Sequence, residues 1–216
     1  IAFAGDFWDS TITATKGSGF SDIIAAVREL EKHVYRIFFI YGTPSHEPSG
    51  SLDAFKSDVV QVTSTMQYCG CDKFGIIAIP EPRRSEYITQ SAKETDDAIN
   101  EAIKHFIRNQ TDRKEKFPDK PLIVMYHGEV KGAVYQNGVS ASSPTAIPKK
   151  LLQSLNADYY ALGHIHMPQE VFPNAWYPGS ACPKNFGEPH NGSYNLVSIE
   201  NGKTVVESAS FELPVY

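Results

Sequence analysis

Four short apolar runs in this chain each break at a glycine with an aspartate or a histidine no more than four residues away. Ile1-Ala2-Phe3-Ala4 leads into Gly5-Asp6-Phe7-Trp8-Asp9, and Arg36-Ile37-Phe38-Phe39-Ile40 leads into Gly42-Thr43-Pro44-Ser45-His46-Glu47. Leu122-Ile123-Val124-Met125-Tyr126 leads into His127-Gly128-Glu129, and Tyr159-Tyr160-Ala161-Leu162 into Gly163-His164-Ile165-His166. The runs are rich in β-branched and aromatic residues, the profile of buried strands. Glycine lets the backbone turn sharply and leaves neighbouring ligand side chains unobstructed. Acids and histidines at successive strand ends can converge on one edge of a sheet, the edge where open α/β sheets bind ligands.

Between these runs the pattern alternates. Ile23, Ile24, Val27, Leu30 and Val34 recur at helical spacing, with Ser21 as the expected N-cap. A second, longer helix is expected from Ser91 to Asn109, burying Ala98, Ala102, Ile103, Phe106 and Ile107. Val59–Val62 and Phe74–Ile79 read as further strands, and a short helix is expected near Pro148 to Leu155. The tail closes with a hairpin across Asn201-Gly202, a type I′ turn signal. Alternating units followed by an antiparallel tail predict a layered α/β domain built from two packed sheets.

At 216 residues the chain suits one large domain with a continuous core. No apolar run approaches the roughly 20 residues of a membrane-spanning helix. No secretory signal is read at its start. Cys69, Cys71 and Cys182 are odd in number and fit neither a disulfide framework nor a zinc site, so free thiols in a reducing cytoplasm are expected. The net charge of −5 argues against a protein that coats nucleic acid broadly. It leaves room for a nuclease, because metal ions and a few local cations can hold phosphates.

Taken singly, each cluster has a plain structural explanation. Gly-Asp after a strand is most often a turn, and a lone histidine such as His127 is most often hydrogen-bonded packing. His164-Ile165-His166 carries more weight, since in an extended segment both imidazoles project to one face. Arg83-Arg84 and Lys149-Lys150 read as solvated charge, and the glycine-rich loop from Gly128 to Ser143 is a candidate lid.

Taken together, the order is specific: Gly-Asp-x-x-Asp, then a glycine loop to His-Glu, then a strand-end His, then Gly-His-x-His. That order resembles the calcineurin-like metallophosphoesterase superfamily, across essentially the whole chain. Within it, the chain is most similar to SbcD-type nuclease subunits of DNA repair exonucleases. The residues behind that narrower likeness are Ala161 through Gln169, Met125 through Ala133, Tyr177-Pro178-Gly179-Ser180, Phe186-Gly187-Glu188 and Asn195 through Glu200.

The resemblance implies a four-layer α/β/β/α metallophosphoesterase sandwich of two mixed sheets flanked by helices. It implies two divalent ions, Mn²⁺ for preference, with Asp6 bridging them, His166 on the first, and His127 and His164 on the second. His46 would be the acid–base residue, oriented by Asp9. The family's Asp-x-His motif is absent from residues 1–216, so a preceding segment carrying it and its strand is expected. The family's Gly-Asn-His is replaced by Gly42-Thr43-Pro44-Ser45-His46, which leaves Ser45 or Thr43 to supply the oxygen ligand. The implied substrate is DNA and the implied partner an SbcC-type ATPase subunit, with a homodimer left open and no membrane contact. The alternatives are a phosphodiesterase or phosphatase acting on a small nucleotide, or a non-catalytic scaffold with the same fold.

Overall fold

The computed structural model of the chain describes residues 1–8, 18–182 and 192–211. Its elements run β1 (Ala2–Ala4), α1 (Ser18–Glu31), β2 (Ile37–Ile40), β3 (Val60–Thr63), β4 (Gln67–Gly70), β5 (Gly75–Ile79) and α2 (Ala92–Arg108). There follow α3 (Arg113–Lys116), β6 (Leu122–His127), α4 (Lys149–Gln153), β7 (Tyr159–Gly163), β8 (Gln169–Phe172), β9 (Ala175–Tyr177), β10 (Ser193–Glu200) and β11 (Lys203–Ser210). The described residues thus form a mixed α/β fold with a parallel sheet β1-β2-β3, a mixed sheet β4-β5-β6-β7-β9-β8 and an antiparallel pair β10-β11.

The two-residue period of a strand explains how the sheets are covered. In β2, Ile37 and Phe39 pack with Val27 of α1 and with Trp8, Leu52 and Phe55. The alternate residues Phe38 and Ile40 pack with Cys69 of β4, Ile76 and Ala78 of β5, and Met125 of β6. The opposite parity of β5, β6 and β7 (Ile77, Ile79, Val124, Tyr126, Tyr160, Leu162) meets α2 through Ile99, Ile103 and Ile107. Both faces of these strands are therefore apolar, which is why they read as uninterrupted hydrophobic runs. Each fully buried isoleucine of α2 contributes roughly 1.5–3 kcal/mol of burial.

The expected elements are present, with differences at their ends. Helix α1 begins at Ser18, so Ser21 lies inside it and does not cap it. Only Val27 among its periodic residues is fully buried, while Ile23, Ile24 and Leu30 pack partly against the same cluster, as does Val34, which lies beyond the helix end at Glu31. Helix α2 is capped by Ser91, whose side chain accepts from the Glu94 amide. Its buried ridge is Ile99-Ile103-Ile107, with Ala98, Ala102 and Phe106 half-buried on its flank. The hairpin turn has positive φ at both Asn201 (51°) and Gly202 (74°), as a type I′ turn requires. All three cysteines are free. No helix among the described residues is long and apolar enough to cross a membrane.

The loop Gly128–Ser143 is fastened down, against its reading as a lid. Val130, Ala133 and Ala141 are buried in the main core. The Tyr177 hydroxyl donates to the Gly128 carbonyl (2.6 Å) and accepts from the Val130 amide (3.0 Å). Buried apolar contacts hold the base of the segment, and its longest exposed run is the tip, Asn137 to Ser140.

Candidate metal centre

Strand β1 lies against β6 and β7, so the ends of these strands meet. At the end of β1 the chain turns through Asp6, held at φ 50°, and at the end of β7 through His164, held at φ 100°. Side chains other than glycine seldom adopt this region, at about 1–3 kcal/mol each, and such residues gather where function over-determines the backbone. The turn at His164 overrides the extended alternation expected for His164 and His166. β7 stops at Gly163, and His164 leaves it at a bend.

Asp6, His127 and His164 form one group whose ligand atoms all lie within 4.8 Å of one another. Two glycines allow this approach. A Cβ on Gly42 would overlap the Asp6 amide and carboxylate, and one on Gly163 would overlap the Ala4 carbonyl. The Asp6 carboxylate accepts from the Thr43 amide (2.6 Å) through Oδ1 and from the Thr43 hydroxyl (3.0 Å) through Oδ2. Its Oδ2 also lies 3.3 Å from His127 Nε2 and 3.5 Å from His46 Nδ1. Burial favours the neutral acid, but the hydrogen bond and charge of His127, the Thr43 amide and the charge of His46 outweigh it. Asp6 is held well below the usual carboxylate range.

His127 is 1% exposed. Its Nδ1 sits 2.7 Å from the Ala4 carbonyl, which can only accept, so Nδ1 carries a proton and Nε2 is the atom turned to Asp6. Burial pulls the imidazolium down, but Asp6 outweighs it and the net shift is upward. His164 behaves in the opposite way: burial first, then the charge of His127, pushes it down to about 4. Its Nδ1 is buried with no hydrogen-bond partner, as is His46 Nδ1. A fixed tautomer on one histidine and an orphaned buried nitrogen on the other suit a cation bound by imidazole lone pairs. One carboxylate and two imidazoles are a donor set for a divalent transition ion.

The other expected site residues divide. His46 stands beside the group. His166 is half-buried two residues beyond His164 and is not a member of the group. Thr43 is at the centre, whereas Ser45 is exposed on the turn. Asp9 and Phe186-Gly187-Glu188 lie outside the described residues.

Two carboxylates have a part in the site that the sequence reading did not assign to them. Glu47 is fully buried and accepts from the Phe7 amide and the Gly42 amide (2.5 Å each), so it ties the Asp6 turn to the His46 loop. Burial raises its pKa. Glu81 follows β5, and its Oε2 lies 3.7 Å from His127 Nε2 and 3.3 Å from the Thr43 hydroxyl. Its position after a buried strand is the same signal that singled out Asp6 and His127. Arg83 is not free surface charge either. It is half-buried, donates to the Glu47 carbonyl (2.5 Å) and lies over the Tyr41 ring. Lys149 likewise donates to the Val171 carbonyl.

No protein-family model and no curated protein matches this chain.

Proposed function

We propose that this chain is a metal-dependent phosphodiesterase acting on DNA, an SbcD-like exonuclease with single-strand endonuclease activity. The observation that carries the proposal is the meeting of Asp6, His127 and His164 from three strand ends, with His46 beside Asp6. The packing of α1 and α2 on the outer faces of the two larger sheets favours the four-layer metallophosphoesterase sandwich as the finer description of the fold.

Asp6, His127 and His164 would hold one ion; His166 is proposed for a second, with Asp6 between the two. Thr43 takes over Ser45's proposed role as oxygen donor. Mn²⁺ suits a mixed oxygen and imidazole set. Held by Asp6, His127 and His164, a divalent ion would supply Lewis acidity toward a phosphoryl oxygen and a bound water. His127 keeps its Nδ1 proton on the Ala4 carbonyl, which fixes the ring plane. Burial keeps His164 uncharged, with its lone pair free for ligation. His46, its Nδ1 turned toward Asp6, would pass a proton to the leaving oxygen as general acid. In the cell the proposal places the protein in the cytoplasm with an SbcC-type ATPase subunit.

The test follows nucleotide release from end-labelled duplex DNA by the purified protein in Mn²⁺, in Mg²⁺ and in chelator, with His46→Ala and with bis-p-nitrophenyl phosphate alongside. Release that needs Mn²⁺ and falls by roughly 100- to 10,000-fold in His46→Ala is expected. Cleavage of the small diester with DNA left intact would move the substrate to a small nucleotide. No turnover and no bound metal would leave an interaction scaffold.

A further inference from the structure

Glu81 sits between Pro80 and Pro82 at the end of β5. Proline fixes its own φ and holds the residue before it in the extended region, so this segment is stiff and the direction of Glu81 is set by the backbone. The Glu81 amide donates to the Tyr41 carbonyl (3.3 Å), which pins the segment to the loop carrying Thr43 and His46.

Counting protons leaves Glu81 short. The Thr43 hydroxyl has one proton and three neighbours: Asp6 Oδ2 at 3.0 Å, Glu81 Oε2 at 3.3 Å and His127 Nε2 at 3.4 Å. The nearest takes it. His127 Nε2 has at most one proton, and Asp6 Oδ2 at 3.3 Å is closer to it than Glu81 Oε2 at 3.7 Å. Among the described residues, no Lys or Arg forms an ion pair with either carboxylate. His46 Nδ1, 3.5 Å from Asp6 Oδ2, also serves Asp6, so Glu81 shares His127 and the Thr43 hydroxyl with a nearer carboxylate and has no fixed cation. Two donors that share a metal at about 2.1 Å each lie no more than about 4.2 Å apart. The Asp6–His127 and Glu81–His127 separations both fall inside that limit, while Glu81 stands outside the Asp6–His127–His164 group, so its carboxylate has to close on the ion from beyond that group.

We infer that Glu81 is a carboxylate ligand of the cation held by Asp6 and His127, approaching from the Thr43 side of the centre. The inference builds on the metal centre proposed above and adds a donor that the family resemblance did not supply. A second carboxylate balances the charge of a divalent ion together with Asp6, and it biases the site toward Mn²⁺ over the imidazole-loving Zn²⁺.

Mn²⁺ and Zn²⁺ affinities are measured by calorimetry on wild type, Glu81→Gln, Glu81→Asp, Asp6→Asn and the exposed control Glu86→Gln, without substrate. Thermal melts in chelator check folding. Glu81→Gln should bind Mn²⁺ at least about tenfold more weakly, lose less Zn²⁺ affinity than Mn²⁺ affinity, and melt in chelator no lower than wild type. Glu81→Asp should fall between the two, and Glu86→Gln should match wild type. Should Glu81→Gln fail to fold, Glu81→Asp decides: affinity equal to wild type overturns the inference. Unchanged Mn²⁺ affinity in Glu81→Gln alongside its loss in Asp6→Asn overturns the role of Glu81 and leaves the metal centre standing. Absence of metal binding by wild type overturns both.

Discussion

β6 and β7 run through two regions of opposite character. Along their length, Val124, Tyr126, Tyr160 and Leu162 pack against the Ile99-Ile103-Ile107 ridge of α2 in regular geometry. At their ends, the same strands deliver His127 and His164 into a space with strained φ angles, two unsatisfied ring nitrogens and carboxylates paired with no lysine or arginine among the described residues. The first region has what stability requires, and the second has what packing avoids. Local rules are broken where function gains from it, and the surrounding structure carries the strain.

If the two regions are separable, each should fail without the other. Ile107 is fully buried, and Ile107→Ala should remove about 3 kcal/mol of stability by lost burial and a residual cavity. Urea unfolding measures this. Mn²⁺ affinity of the folded fraction should stay at the wild-type value, and a parallel fall would show that the core and the centre are coupled. The converse is Gly42→Ala. Its Cβ would meet the Asp6 backbone and carboxylate, so the carboxylate must move. A roughly 10- to 100-fold weaker Mn²⁺ affinity is expected, with far-UV circular dichroism retained. Loss of the fold instead would make Gly42 a residue of the core.

The same division explains what was legible in the sequence. The regular region could be read from period and caps: the expected helix from Ser91 to Asn109 is α2 with its caps included. Asp6, His127 and His164 could be read because a polar residue directly after a buried run has few structural reasons to be there. Glu81 has the same context but lies between prolines, which reads as the end of a strand and hides the carboxylate between them. Glu47 could be read as a neighbour of His46 but not as a buried clamp, because burial of a charged residue leaves no mark on local pattern. β4 was missed because Gln67-Tyr68-Cys69-Gly70 is a polar edge strand that, among the described residues, pairs only with β5. The pairing of His164 with His166 failed for a backbone reason: the positive φ at His164 breaks the two-residue period on which it relied.

The smallest effect gives the finest test of separability. Ser91 caps α2 by accepting from the Glu94 amide (3.2 Å), and the Glu94 carboxylate in turn accepts from the Gln90 amide (3.1 Å). Ser91→Ala leaves that amide to water and should reduce stability by about 1 kcal/mol. The cap is exposed, yet only eight residues of chain lie between it and the last residue of the Pro80-Glu81-Pro82 segment. Along that stretch Arg84 pairs with Asp96 of α2, while Arg83 holds the Glu47 carbonyl. A frayed α2 thus has a short mechanical route to both Glu81 and the His46 loop. Mn²⁺ affinity unchanged in Ser91→Ala would mean that the two prolines isolate Glu81 from the helix. A measurable loss would mean that the placement of Glu81 depends on the first turn of α2, and that the boundary between the two regions lies beyond Ser91.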